Sequence, residues 1–256
     1  MKATVCELPN EYEELCKAWV GLVEHVANQA SEMVILPEMP FFRWLPHTRD
    51  VSVGQWEEAV RSHKEWTGQL EELQPATVIS TRPITEKGKR KNIGYIWEPN
   101  KGVLDVHVKY YLPDEPGFWE ATWYERGKNE FLSVPTNHCK VGFLICTELW
   151  FNSHAREYGK QGVNVLVCPR CTPNPTTEKW IAGGQTAAVV SGAYCLSSNL
   201  TGRTSEGCDF AGRGWIIDPE GHVLGLTSSE QPFLTLDLDL KEADKAKKTY
   251  PRYVLD

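Results

Sequence analysis

Short apolar runs that stop abruptly recur along this chain, and they constrain its fold more than any other feature. Residues 3–6, 33–36, 77–80, 140–145, 163–168 and 193–198 are rich in Val, Ile, Leu and Cys. They are too short for helices and too continuously apolar for strands with one wet face, so they read as strands buried on both sides. Two long amphipathic segments supply the cover. In the first, Tyr12, Leu15, Cys16, Trp19, Leu22, Val23 and Val26 recur at helical spacing behind an N-cap-like pair, Asn10 and Glu13. In the second, residues 55–73, one face carries Trp56, Val60, His63, Trp66 and Leu70. His63 reads as a packed histidine there, not as a ligand.

Hairpins occur as well. Residues 92–97 and 103–108 flank a Pro-Asn-Lys-Gly turn, 131–134 and 140–145 flank Pro135, and 215–218 and 223–226 flank Pro219-Glu220-Gly221. Further helices are expected at 153–161 and 178–191 and a last strand at 232–238, while Lys87-Gly88-Lys89-Arg90-Lys91 reads as a solvated loop. The sum is one α/β domain of roughly a dozen strands. It has too many hairpins for a purely parallel sheet and few enough helices to suggest sheets covered on their outer faces.

Composition narrows the partners. A net charge of −7 over 256 residues argues against nucleic acid and gives no reason to bind an anionic membrane. No apolar run approaches a membrane span, and the start carries no signal-peptide pattern. The eight cysteines are scattered through strand-like runs, so a cytoplasmic protein with reduced thiols is expected.

The chemistry sits where strands end. Cys146 closes the run 140–145 and precedes a helical stretch, a position where backbone N–H groups can point at whatever a thiol attacks. Glu38 follows the run 33–36 and Lys109 follows 103–108. A thiol attacking an amide needs a base to take and return a proton, and a donor for the oxyanion. A glutamate and a lysine at neighbouring strand ends meet both needs, although each alone reads equally well as a surface group.

Taken together, Leu36-Pro37-Glu38-Met39, Lys109-Tyr110-Tyr111-Leu112-Pro113 with Glu120, and Gly142-Phe143-Leu144-Ile145-Cys146-Thr147-Glu148 resemble the three signature segments of the nitrilase superfamily of carbon–nitrogen hydrolases. The resemblance continues through Tyr124-Glu125-Arg126-Gly127, Ser198-Asn199 and residues 210–221, and so covers nearly the whole chain. It implies a four-layer αββα sandwich of two mixed β-sheets, no cofactor and no metal. Cys146 would be the nucleophile, Glu38 the general base and acid, Lys109 the stabiliser of the tetrahedral intermediate and Glu120 the residue that positions the lysine. The N–H of Thr147 would complete the oxyanion hole. Amidase or carbamoylase chemistry on a small molecule is expected, because Thr147 replaces the tryptophan usual after a nitrilase cysteine and the chain is compact. Nitrile hydrolysis, acyl transfer to an amine and a catalytically silent binding protein stay open.

Pocket walls are expected from Tyr111, two residues past Lys109 on an extended segment, and from Phe42 and Trp150. Arg170, leaving the strand 163–168, is expected either to pair a substrate carboxylate or to serve a structural ion pair. Cys168-Pro169-Arg170-Cys171 has zinc-ligand spacing but lacks a second such pair, and reads as structural. The apolar tail 249–256 suggests packing at the interface of a homodimer or larger assembly, as in relatives.

Overall fold

The computed structural model describes residues 1–205 and 207–254. In chain order the elements begin with β1 (Lys2–Pro9), α1 (Tyr12–Gln29), β2 (Met33–Ile35), α2 (Val53–Gln69), β3 (Thr77–Glu86), β4 (Lys89–Glu98), β5 (Gly102–Val108) and the single turn α3 (Glu120–Trp123). They continue with β6 (Val134–Pro135), β7 (Lys140–Phe143), α4 (Asn152–Lys160), β8 (Val165–Val167), α5 (Thr177–Ser191), β9 (Tyr194–Ser197), β10 (Asn199–Arg203) and β11 (Asp209–Ala211). β12 (Trp215–Ile217), β13 (Val223–Leu226), β14 (Phe233–Asp237) and α6 (Leu240–Ala246) complete the order.

Two mixed sheets result. The first runs β11-β10-β1-β2-β3-β4-β5, with β14 antiparallel to the first half of β1, and the second runs β13-β12-β9-β8-β7-β6. Strand alternation explains the layering. Met33 and Ile35 of β2 turn to the core shared with the second sheet, while Val34 turns to the core under α1 and α2. Across the sandwich, a Cβ on Gly94 of β4 would meet the Phe143 ring of β7 at 2.7 Å, so the missing side chain is what admits that ring. On the outer face of β7, a Cβ on Gly142 would meet the Tyr158 ring of α4 at 2.7 Å. Helices α1 and α2 therefore cover one sheet, α4 and α5 the other, and the expected αββα order is observed. Among the described residues no helix is long and apolar enough to cross a membrane.

Several local expectations change. Asn10 does not cap α1, which begins behind Glu11 without a side-chain cap. It is buried instead, donating from Nδ2 to the Phe42 carbonyl (2.8 Å) and accepting from the Trp44 N–H (2.7 Å), so it orders the loop behind Glu38. The basic run is not a free loop. Lys87 and Gly88 form a tight turn at positive φ, and Lys89, Arg90 and Lys91 pair with Glu86, Thr85 and Ile84. β3 is thus longer than its apolar start, and Pro83 is tolerated because β2 pairs only with residues Thr77–Ile79, leaving that edge open. The run 193–198 holds the single strand β9 of the second sheet, and β10 follows at once in the first. Ser198 pins this crossing, accepting from the Cys6 N–H (2.9 Å) and donating to the Ile35 carbonyl (2.6 Å).

His63 is packed as expected. Its Nδ1 donates to the Ala59 carbonyl (2.8 Å) and its Nε2 accepts from the Phe41 N–H (3.3 Å), leaving a neutral ring. Burial pulls its pKa down to about 4. A depressed histidine binds its proton in the unfolded chain first, so stability is lost as pH falls from the ordinary value of 6.5 towards 4. Urea unfolding at pH 7 and pH 4.5 should show wild type losing roughly 2–3 kcal/mol more than His63→Asn across that window. Equal losses in the two proteins would contradict the buried neutral ring.

Candidate active site

The charged centre is built from three strand ends. Lys109 follows β5, and its Nζ donates to Glu38 Oε1 (2.7 Å) and to both oxygens of Glu120 (2.8 and 2.7 Å). Asn92 of β4 adds a donor to the same Glu38 Oε1 (2.7 Å). Lys109, Glu38, Glu120 and Asn92 are all fully buried. The Pro37 carbonyl accepts from Ser80 Oγ (2.8 Å), the Glu38 N–H donates to the Arg170 carbonyl (3.2 Å) and the Met39 N–H donates to Thr81 Oγ1 (2.9 Å). The backbone around Glu38 is therefore held at successive residues. Its Oε2 is left without a hydrogen-bond partner among the described residues, as is Asn92 Oδ1. Unpaired buried polar atoms are costly, and Glu38 Oε2 is the open acceptor beside the ammonium.

Cys146 opens a five-residue 3₁₀ turn, Cys146–Trp150, at a φ of +48°. Positive φ at a non-glycine residue is strained and is held here by the turn's neighbours. The Cys146 N–H donates to the Pro169 carbonyl (3.0 Å), and its Sγ lies 3.8 Å from the Cys171 carbonyl. As the second residue of the turn, Thr147 has an N–H with no acceptor inside it. Glu148, which has no role in the expected triad, is fully buried and bonded to both the Ile145 and the Tyr110 N–H (2.8 and 2.7 Å).

The electrostatics follow from this packing. Burial works against the Lys109 charge, but Glu120 and Glu38 outweigh it and hold the ammonium well above its ordinary value. Glu120 is raised to about 7 by burial and by the Glu38 charge, against the pull of Lys109. The Cys146 thiol is pushed far up by burial and by Glu38, with Lys109 only partly opposing. It rests protonated, so any attack requires a base within reach.

A cavity of about 580 Å³ opens beside this centre, lined by Tyr110, Tyr111, Leu112, Tyr124, Thr147 and Phe151 among others. Tyr111 and Thr147 thus meet as expected. The Tyr111 ring stacks on Phe151 at 3.4 Å between centroids, and its hydroxyl bonds His154 Nε2 (3.0 Å). Phe42 and Trp150 do not line this cavity. Phe42 packs with Met39, Leu45 and Trp56 and borders a separate cleft near Asn10, while Trp150 is turned outward against Trp180 of α5. Phe151, the neighbour of Trp150, lines the cavity instead, because the tight turn sets which of the two faces inward.

Arg170 is the clearest correction. It is fully buried and already committed: Nε donates to Ser197 Oγ, Nη1 to Thr172 Oγ1 and Nη2 to the Arg213 carbonyl, each at 2.7 Å. Its guanidinium also lies 3.9 Å from the Trp215 ring centroid. Burial pulls its pKa down to about 10, and neutral acceptors with an aromatic face hold the charge in place of an anion. Arg170 ties β8, β9 and β12 together through donors taken up inside the fold. Cys168 and Cys171 are buried beside it, and no group of three His, Cys, Asp or Glu side chains is placed to hold a metal among the described residues. Arg170→Lys, lacking the planar fork, should cost about 2–4 kcal/mol of unfolding free energy while changing KM equally for anionic and neutral amides. A KM rise confined to anionic substrates would return Arg170 to recognition.

Comparison with known proteins agrees with this geometry. The sequence profile of the family described as carbon-nitrogen hydrolase matches residues 2–248. An omega-amidase of Mus musculus is 26% identical over 247 residues, covering 90% of this chain and 85% of that protein. An N-carbamoylputrescine amidase of Oryza sativa is 27% identical over 154 residues, covering 54% of this chain and 51% of that protein. The crystal structure of a carbon-nitrogen hydrolase from Helicobacter pylori G27 superposes with a TM-score of 0.88 at 18% identity, covering 98% of this chain and 94% of that one. The chain belongs to the carbon–nitrogen hydrolase family.

Proposed function

We propose that this enzyme hydrolyses the C–N bond of a small linear amide or N-carbamoyl compound through a thioester on Cys146. The observation that carries the reading is the unpaired Glu38 Oε2 in a buried site where burial holds the Cys146 thiol above its ordinary value. Glu38 takes the Cys146 proton as sulfur attacks the carbonyl carbon, then delivers it to the departing nitrogen, releasing ammonia or an amine. A water molecule, deprotonated by Glu38, attacks the thioester, and the acid leaves with the proton returned to sulfur. Lys109 and the Thr147 N–H stabilise the tetrahedral oxyanion of both steps. Glu120, with both oxygens on Nζ, keeps the ammonium aimed while Glu38 changes charge. The names of the relatives, omega-amidases and N-carbamoylputrescine amidases, support amide and carbamoyl substrates. A nearly closed nucleophile, 3% exposed, supports small ones. A cytoplasmic enzyme is part of this reading.

A homodimer or larger assembly is also proposed. Tyr250, Tyr253 and Val254 of the tail are 72%, 62% and 44% exposed, which leaves apolar surface for a second copy to cover. The last two residues of the tail segment 249–256 lie outside the described residues. Light scattering at micromolar concentration should give at least twice the chain mass; a monomer would remove this part of the proposal.

Ammonia release from a panel of amides, N-carbamoyl compounds and nitriles, with and without an added amine, tests the reaction class. Cys146→Ala should abolish turnover with an unchanged melting temperature. Glu38→Gln and Lys109→Ala should each lower kcat by about three or more orders of magnitude, because base, donor and thiol act as one unit. Substantial activity left in any of the three would remove that residue from the mechanism.

A further inference from the structure

The two segments that carry the thiol and the ammonium belong to different sheets. Lys109 follows β5, the last strand of the first sheet, whereas Cys146 follows β7 of the second, and no strand ladder joins β5 to β7 among the described residues. Something else must set their separation. Glu148 spans that gap. Its Oε2 accepts from the N–H of Ile145, the residue before Cys146 (2.8 Å), and its Oε1 accepts from the N–H of Tyr110, the residue after Lys109 (2.7 Å). A third donor, His107 Nε2, reaches both oxygens at 3.0 and 2.9 Å. A carboxylate accepts only, so this nitrogen carries the proton.

We propose that the Glu148–His107 ion pair is a positioning element for the hydrolysis, fixing Cys146 against Lys109 only while His107 is protonated. The proposal rests on the Cys146 reading given above. Both members are buried, and the Phe131 ring, 4.8 Å from the imidazole, covers the pair. Burial by itself would strip the proton from His107. The Glu148 charge and hydrogen bond, with the Glu130 carbonyl, overcome this and hold the imidazole above its ordinary value of 6.5. The other charged groups nearby are otherwise occupied. Lys91 is paired with Glu86 and Lys128 with Glu130, and Arg126 lies over the Tyr110 ring. His154 of α4 is held below its ordinary value by burial and is bonded to Tyr111, so it adds no competing cation at neutral pH.

The sign of the pH effect follows. A histidine raised in the fold contributes in full below its unfolded value and loses that contribution as pH rises through its folded value. Above that point a neutral imidazole still offers one hydrogen bond, but the buried carboxylate has lost its counter-charge. The turn then loosens against the lysine strand, and kcat falls on the alkaline side. KM stays nearly constant, because neither residue lines the cavity that receives substrate.

The test uses the full-length protein. In wild type labelled with [13C]histidine, the His107 ring should titrate above the ordinary value of 6.5; a ring that titrates at or below it overturns the proposal. His107→Gln keeps an amide donor for Glu148 but cannot titrate. It should lower kcat on the order of 10-fold, leave KM within about 2-fold and erase the alkaline step that follows the imidazole titration. Glu148→Gln, which sets an amide donor against the Ile145 or Tyr110 N–H, should lower kcat on the order of 100-fold with the same small change in KM. An unchanged alkaline step in His107→Gln, or a KM that rises with the fall in kcat in either variant, overturns the assignment. If neither variant folds, the wild-type ring titration and its coincidence with the alkaline kcat step decide. Wild type inert towards every amide and carbamoyl compound would defeat the reaction reading instead, and the ring titration would still report on the pair.

Discussion

A single buried ammonium governs this molecule. Lys109 has no exposed surface, and a charge removed from water is tolerated only when counter-charge and hydrogen bonds replace the lost hydration. Glu38 and Glu120 supply both, but two carboxylates on one ammonium leave the cluster with more negative charge than positive. Burial, reinforced by that excess, raises Glu120 and holds the neighbouring thiol above its ordinary value. The site therefore stores a base and a protonated nucleophile, not a preformed thiolate. Ser80, Thr81, Asn92 and the Arg170 carbonyl are arranged around Glu38 because a carboxylate that moved would leave Lys109 uncompensated.

The sandwich exists to bring those groups together from distant parts of the chain. β2 and β5 lie in one sheet and β7 in the other, and their ends open at the same side. Side-chain-to-backbone bonds tie that side across the two sheets. Ser198 ties the β9–β10 crossing to β1 and β2, Asn199 accepts from the Thr172 N–H (2.9 Å) and donates to the Gly212 carbonyl (2.8 Å), and Arg170 binds three elements at once. Each is a buried polar group whose partners are nearly all supplied by the loops it holds. Removing one exposes unmatched acceptors in loops that also carry the Cys146 turn.

How much of this the sequence disclosed depends on the range of the physics involved. Glu38, Lys109 and Cys146 were legible because each stands at the end of a buried strand, and strand ends are set locally by the apolar run before them. The continuously apolar runs and the two amphipathic segments indicated one α/β domain with covered sheets, and the αββα order itself came from the resemblance to the family. What failed depended on partners far away in sequence. Arg170 stands where a substrate-reading residue could stand, but Ser197, Thr172, Arg213 and Trp215 absorb its guanidinium, and only the assembled second sheet brings them to it. Trp150 and Phe151 are adjacent, and the path of the 3₁₀ turn decides which one faces the cavity. Lys89 to Lys91 read as loop because charge hid the alternation that pairs them with β3. Glu148 was visible as a motif residue, but its three donors come from two sheets, which no local pattern could foretell.

A protonated thiol in a closed site has a consequence for selectivity. A standing thiolate would react with any soft electrophile that reached it. In the proposed mechanism sulfur becomes nucleophilic only as Glu38 accepts the proton, and that transfer is favourable only when developing oxyanion charge is received by Lys109 and the Thr147 N–H. Nucleophile, base and oxyanion donor are therefore engaged in the same step, by a carbonyl that fits between them. Glu38 Oε2 and Asn92 Oδ1, both buried and without a hydrogen-bond partner among the described residues, belong to the same centre and are costly while unpaired. A substrate offering an N–H and a carbonyl at the spacing of an amide satisfies such acceptors and donors together, whereas a simple thiol-reactive electrophile satisfies none. In that mechanism discrimination resides less in the walls of the cavity than in the incomplete hydrogen bonding of the charged cluster beside it.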